Sequence, residues 1–331
     1  MKKTSRRWVW LLVAAAAAGL PLAGLGLWGS PTAPATAPAG GTASIVLLHV
    51  NDVHGQTDTR MVNGQSVGGY SRLSTLVGRV RSSRDPNTVL FLHAGDEFSR
   101  GDDLTRKTLG AANIDILNSL GLDAWTPGNG DFYNGMENLS ARIKQARFTT
   151  LAANVTDKST GRCIARPFVV KQVGPVKVGL LGLCTITQGG AGLEANSAIE
   201  TAAGIVPELR KRADIVVALT HIGYMEDVRL AQDVPGIDVI VGGHSHTVLS
   251  EGHRVRGPGG EVLIVQTGSL LDSLGQVELK LKRADGRWQV ESAGATLVPL
   301  DAQVQEDPAV KALRARLWAA TSQPASAKAT P

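Results

Sequence analysis

Uninterrupted apolar stretches recur along this chain, and each closes in a polar loop. Ile45–Val50, Val89–His93, Val176–Leu183, Asp214–Thr220 and Val239–Val241 are such stretches. A strand with one wet face would alternate apolar and polar positions, so these runs read as strands buried on both faces. Thr150–Ala153 and Phe168–Gln172 are further strand-like runs. Between them the spacing changes. Leu73, Leu76, Val77 and Val80 recur at helical intervals and predict a helix over Gly69–Arg81. Helices are also predicted over Leu104–Leu120, with Asp102 and Asp103 as its starting residues, and over Glu200–Arg212. Towards the end, Val262–Thr267, Gly275–Lys282 and Gln289–Val298 read as antiparallel strands, with a turn at Asp285-Gly286. Asp307–Ala319 reads as a short helix with Pro308 near its start. No internal repeat has a fixed period. The pattern is α/β.

Composition sets the boundaries. The chain has 331 residues, 43% of them hydrophobic and 19% charged, which predicts a substantial core and disorder only at the ends. Residues 1–30 read as an export signal or membrane anchor: Lys2, Lys3, Arg6 and Arg7 precede the uncharged run Trp8–Leu27. That run is long enough to span a bilayer, so cleaved signal and retained anchor both stay open. Ser5-Arg6-Arg7-Trp8-Val9 resembles a twin-arginine signal, with an ordinary secretory signal the alternative. Either way the expected location is exported, in the periplasm, cell envelope or extracellular space. Residues 31–43 are a Pro/Ala/Thr/Gly linker, 44–320 the folded domain, and 321–331 a low-complexity tail.

The net charge of +5 hardly describes that domain, because four of the surplus positive charges are Lys2, Lys3, Arg6 and Arg7. No basic stripe interleaved with aromatics follows, which argues against a nucleic-acid partner. Membrane contact is expected only through the N-terminal run. Cys163 and Cys184 are the two cysteines. Neither sits in a Cys-X-X-Cys pair, so a thiolate metal site is not expected, and sequence leaves their disulfide pairing open.

Four motifs carry chemistry: Asn51-Asp52-Val53-His54-Gly55, Ala94-Gly95-Asp96, Gly128-Asn129, and Thr220-His221 with Gly242-Gly243-His244-Ser245-His246. Most of them follow an apolar run, where α/β folds gather active sites from loops at strand carboxyl ends. Extended backbone sends alternate side chains the same way, so Asp52-X-His54 and His244-X-His246 can each aim two donors at one point. Carboxylate, amide oxygen and imidazole together suit Zn²⁺, Mn²⁺, Fe or Co²⁺ better than a pure Ca²⁺ or Mg²⁺ cage.

The ordered set resembles the calcineurin-like metallophosphoesterases. Leu48-His49-Val50-Asn51-Asp52-Val53-His54-Gly55 looks like their 5′-nucleotidase/UDP-sugar hydrolase branch, supported by Asn118–Ala124, Ala153-Asn154-Val155 and Gln266-Thr267-Gly268. The likeness runs from Ser44 to Ala319 and is to the N-terminal catalytic domain of that branch. It implies a four-layer α/β/β/α sandwich, two mixed β-sheets flanked by helices. It also implies two divalent metal ions: Asp52, His54 and His246 on one, Asn129, His221 and His244 on the other, and Asp96 bridging both. Such a pair activates water for attack on phosphorus. The implied partner is a small phosphorylated substrate, a nucleotide.

One motif departs from the family. Where relatives read Gly-Asn-His-Glu/Asp-Phe-Asp, this chain reads Gly128-Asn129-Gly130-Asp131-Phe132-Tyr133. Gly130 and Tyr133 replace the His–Asp pair that stabilises the transition state and helps protonate the leaving group. Turnover then rests on the metals alone, or a neighbour compensates, with Asp131, His93 and Arg100 the candidates beside Asp96 and Asn129. Two alternatives remain, a thiosulfohydrolase-like sulfur-ester hydrolase and a non-catalytic metal-dependent binding protein. Restoring Gly130→His and Tyr133→Asp together is expected to raise phosphatase activity. His49 is expected to be structural, His253 to lie at the surface, and Asn154 to lie near the site.

Overall fold

The computed structural model describes residues 41–322. The signal or anchor read over 1–30, most of the linker and the tail lie outside the described residues. No helix among the described residues is long and apolar enough to cross a membrane.

Two six-stranded sheets organise the domain. In the first, β1 (Thr42–Val50), β4 (Val89–His93), β5 (Ala124–Trp125) and β6 (Thr149–Thr150) run parallel. β15 (Ser273–Ala284) pairs antiparallel with β1, and β16 (Arg287–Pro299) with β15. In the second, β9 (Val176–Cys184), β11 (Ile215–His221), β12 (Val239–Val241) and β14 (Gly260–Val265) run parallel. β8 (Phe168–Val173) and β13 (His253–Gly257) close its edges antiparallel. Two small pairs, β2 (Arg60–Val62) with β3 (Gln65–Val67) and β7 (Val155–Asp157) with β10 (Leu193–Ala195), lie outside them.

The apolar runs form strands because both faces of each sheet are covered. On β1, Val46, Leu48 and Val50 pack in one cluster with Leu73 and Leu76 of α1 (Tyr70–Ser82) and Ile114 and Leu117 of α3 (Ala111–Leu120). Ile45 and Leu47, on the opposite face, are equally buried. The second sheet repeats the arrangement. Val216, Ala218 and Ile240 pack with Val206 and Leu209 of α5 (Ala198–Arg212) and Leu230 of α6 (Tyr224–Asp233), while Val217, Leu219 and Val239 are buried on the other face. The architecture is the mixed α/β sandwich expected.

Three expectations change. The helix over Leu104–Leu120 is two helices, α2 (Asp103–Thr108) and α3, broken at Leu109 (φ 49°) and Gly110 (φ 80°). A side chain at 110 would collide with Phe98, so the chain turns there on glycine. Asp102 caps α2, accepting from the Thr105 amide at 3.1 Å. Second, the terminal strands do not form one antiparallel set, because β14 joins the second sheet parallel to β12. Third, α4 (Gly135–Gln145) and α6 were not predicted. The helix α7 (Pro308–Thr321) starts as read, with Asp307 as its cap. Asp285 (φ 52°) and Gly286 (φ 78°) form the expected turn. Both cysteines are free.

Candidate metal centre

Strand ends deliver the candidate ligands. Asp52 and His54 follow β1, Asp96 follows β4, His221 ends β11, and His244 and His246 follow β12. Asn129 opens a single 3₁₀ turn, Asn129–Phe132, after β5. Asn51 staples the two sheets here. Its Oδ1 accepts from the Thr267 amide and hydroxyl, both at 2.8 Å, and its Nδ2 donates to Gly268 O and to Asp52 Oδ2, both at 2.7 Å.

The backbone at the site is strained in a way most loops are not. Eleven non-glycine residues among those described have positive φ, and five of them are Asp52, His54, Asp96, His244 and His246. Each such position costs on the order of 1–3 kcal/mol and persists where surrounding structure enforces it. Close approach of the loops supplies the enforcement. A Cβ on Gly95 (φ 87°) would collide with His221 and the Gly128 amide, so this loop seats against its neighbours only because it carries no side chain there.

Donor atoms converge in two groups, Asp52, His54 and His246, and Asp52, Asp96 and His221, each within 4.8 Å of one another. His54 Nε2 faces His246 Nε2 at 2.9 Å, and His246 Nε2 lies 3.3 Å from Asp52 Oδ1. His221 Nε2 stands 3.4 Å from Asp96 Oδ1 and 3.9 Å from Asp52 Oδ1. The His244 ring packs edge-on to His221, with centroids 5.2 Å apart. His244, Asn129 and Asp96 line a cavity of about 170 Å³ with His54 and His246.

Electrostatics follows from burial and pairing. Burial holds the His54 and His244 imidazoles below the ordinary histidine value. The Asp52 carboxylate, 3.3 Å away, raises His246. Burial alone would raise the Asp52 carboxyl, but the close His246 and His221 rings and the Asn51 hydrogen bond together hold it down. An Asp52 carboxyl held toward its ionised form beside His54 and His244 held toward their neutral forms suits cation coordination.

Of the buried side-chain polar atoms that make no hydrogen bond among the described residues, three belong to the ligand candidates: Asp52 Oδ1, Asn129 Oδ1 and His221 Nε2. Leaving a buried polar atom unpaired costs about 1–3 kcal/mol, so three among the ligand candidates are a demand for a ligand. All three are electron-pair donors, and a cation fits them. The supporting bonds set the tautomers. His221 Nδ1–H donates to Ala94 O at 2.7 Å, which leaves Nε2 as the lone-pair face. With His54 Nε2 as donor atom, its Nδ1–H meets Ser99 Oγ at 2.8 Å. Asn129 Nδ2 donates to the Tyr133 hydroxyl at 2.9 Å, freeing Oδ1.

The other candidates separate. Arg100 lines the cavity and is exposed. Asp131 and His93 do not line it; both are fully buried. Asp131 Oδ1 accepts from the Glu97 and Phe98 amides at 2.9 and 3.0 Å, and Oδ2 from the Gly128 amide at 2.8 Å, clasping the Asp96 and Asn129 loops together. His93 Nδ1 accepts from the Gly95 amide at 3.1 Å, while Nε2 donates to Glu97 Oε2 at 2.7 Å. Asn154 bonds the backbone of Cys184 and Asn196 rather than any ligand candidate. His253 is half-buried, 2.8 Å from the Tyr224 hydroxyl. His49 is buried against Gly275.

Several contributors escaped sequence reading. Glu97 is fully buried and accepts from Tyr70, Asn113 and His93. Gln266 pins the His244–His246 loop, donating to Gly243 O and accepting from Thr247 and Ser245. Ser99 stands beside His54, and a Cβ on Gly130 would collide with its side chain and come within 3.0 Å of Asp96 Oδ1. For Glu97 and Ser99 the available signal was adjacency to Asp96, and for Gln266 it was the Gln266-Thr267-Gly268 segment that supports the family likeness. A larger cavity of about 640 Å³, between Arg210, Arg254 and Trp288, contains none of the seven ligand candidates.

Comparison with known proteins identifies relatives along most of the chain. Residues 45–248 match the calcineurin-like phosphoesterase family. The chain is 31% identical over 315 residues to a snake venom 5'-nucleotidase of Naja atra, covering 84% of this chain and 57% of that protein. It is 31% identical over 307 residues to the 5'-nucleotidase of Homo sapiens, covering 83% and 52%. The chain spans about half the length of these relatives. The crystal structure of a 5'-nucleotidase precursor from Thermus thermophilus superposes with a TM-score of 0.76 at 29% identity, covering 84% of this chain and 59% of that one.

Proposed function

Because this chain belongs to the calcineurin-like phosphoesterase family, we propose that it is a metal-dependent hydrolase of small phosphoric esters, with nucleotides the first class to test. The observation that carries the reading is the convergence of Asp52, Asp96 and His221, and of Asp52, His54 and His246, within 4.8 Å in each group, with Asp52 Oδ1, His221 Nε2 and the neighbouring Asn129 Oδ1 all buried without a hydrogen-bond partner.

In this reading Asp52, His54 and His246 would hold one divalent ion and Asn129, His221 and His244 the other, with Asp96 shared between them. When bound, the ions supply Lewis acidity toward a phosphoryl oxygen and toward water. The chain's own residues do the rest. Asp96 is held by the Gly130 amide, which donates to Oδ1 at 2.6 Å. Ser99 orients His54, Ala94 O orients His221, and Tyr133 orients Asn129, so these three side chains are held in place by the protein itself. No histidine stands at position 130 to deliver a proton.

The same reading places the protein outside the cytoplasm, with 44–320 as its catalytic unit. Relatives named 5'-nucleotidase support the nucleotide class. Purified protein assayed for bound metals, and for phosphate release from nucleotides, UDP-sugars and phosphodiesters with added Mn²⁺ or Zn²⁺, tests it. Two bound metals with no hydrolysis across the panel would favour the binding-protein alternative. Sulfate release from a thiosulfonate-type ester would favour the sulfur-ester alternative.

A further inference from the structure

We propose that Arg100 stabilises the departing oxygen as a fixed cation, so that the centre favours phosphoryl substrates whose leaving group departs as an anion, such as phosphoanhydrides and aryl esters, over alkyl monoesters. The inference rests on the phosphoric-ester reading above and narrows it.

The first observation is steric. Position 130 carries no side chain, and the Ser99 hydroxymethyl group fills the space where one would start. Ser99 is itself buried and committed to His54. The site is therefore packed around the lack of a proton donor at 130, and a histidine could not be accommodated there without moving Ser99.

The second observation concerns what does face the cavity. Arg100 borders the same space of about 170 Å³ as His54, His244 and His246. It is exposed, and among the described residues it makes no hydrogen bond or ion pair, whereas nearby cations are engaged. Arg106 is bonded to Gly101 and Asp103, Arg314 to Thr57, Asp58 and Asp102, and Lys107 lies over the Trp318 ring. Arg100 has φ 70° and Gly101 φ 64°, a sharp kink directly after the anchored Ser99. A non-glycine residue in that conformation is strained, and strain of this kind concentrates at ligand contacts. A guanidinium stays charged at any working pH and pairs with oxyanions, but does not give up a proton.

The step balances without an acid. Water's oxygen bonds to phosphorus as the bond from phosphorus to the leaving oxygen breaks. That oxygen keeps the electron pair and leaves as an anion beside Arg100, and the phosphate product keeps both protons of the water. Alkoxide leaving groups are too basic to depart this way; phosphate and phenolate leaving groups are not.

The test uses the metal-loaded full-length protein and a series of aryl phosphates of graded leaving-group acidity, with one alkyl monoester. Wild-type kcat/KM is expected to fall steeply as the leaving group becomes more basic. Arg100→Ala should lose roughly 10²-fold on the aryl series, with metal content and melting temperature unchanged. Guanidinium ion at non-denaturing concentration should restore part of that loss, and sodium chloride none. Arg100→Gln provides a second variant without charge and should behave the same. A shallow wild-type slope, or Arg100 variants as active as wild type, would overturn the inference while leaving the phosphoric-ester reading intact. If Tyr133→Phe alone steepens the slope, the role passes to a tyrosine proton and the inference fails. Wild-type protein that hydrolyses none of the series overturns the broader reading, a result visible before any variant is made.

Discussion

Asp131→Asn discriminates a clasp from a catalytic acid. The Asp131 carboxyl receives three backbone N–H groups, from Glu97, Phe98 and Gly128, and has no exposed surface. An asparagine of the same shape can keep Oδ1 toward Glu97 and Phe98, but then its own NH₂ points at the Gly128 N–H. One hydrogen bond is lost, and two buried donors face each other without an acceptor. Unsatisfied buried groups cost about 1–3 kcal/mol each, so the variant should lose roughly 2–4 kcal/mol. For a domain of this size, at about 2.1 cal/mol/K of unfolding entropy per residue, that is a fall in melting temperature of roughly 3–7 °C. The damage is local to the Asp96 and Asn129 loops, so affinity for the ion that Asn129 would hold should fall as well. Thermal melts in chelator and in Mn²⁺ measure the first effect, and metal titration the second. A variant that melts like wild type, binds two metals normally and loses only turnover would refute the clasp and make Asp131 a catalytic group.

Four further outcomes follow from the same structure. Gly130→Ala should destabilise by about 1–3 kcal/mol through overpacking against Ser99, and adding Ser99→Gly should relieve most of it; strict additivity in denaturant melts would remove Ser99 from that space. By the same steric reasoning, Gly130→His with Tyr133→Asp should fail to raise activity unless Ser99 is also reduced, which phosphate-release assays of the double and triple variants decide. Burial lowers the His49 imidazole from 6.5 to about 3. The unfolded chain therefore binds the proton first, and stability that is complete above pH 6.5 drains away as pH falls toward 3, by on the order of 4 kcal/mol; His49→Leu should flatten that part of the pH–stability profile, and an unchanged slope would contradict it. Saturating Mn²⁺ or Zn²⁺ should raise the wild-type melting temperature by mass action, an increase of about 2.7 kcal/mol in stability at one hundred times the dissociation constant, and Asp96→Ala should reduce both that gain and the metal stoichiometry measured by elemental analysis.

What the sequence determined by itself is the framework. Runs such as Ile45–Val50 and Val89–His93 were legible because strands covered on both faces must be apolar at every position, and that constraint is written locally. The ligand candidates were legible for a related reason: most of the motifs sit where such a run stops, Gly128-Asn129 being the exception. The β14 strand was misplaced because sequence gives a strand's composition but not its neighbour; Val239–Val241 supplies that neighbour. The break at Gly110 was missed because it answers to Phe98, an element away.

Only the tertiary structure decided the roles inside the centre. Asp131, His93 and Arg100 were equivalent on paper, three polar side chains beside ligand motifs. Folding buries the first two against backbone amides and Glu97 and leaves the third at the cavity. The partners that make this distinction come from far along the chain, as Asn51 and Thr267 do across 216 positions. A hydrogen bond or a steric collision is fixed by position in space to within an ångström, and no local pattern of residue types encodes that.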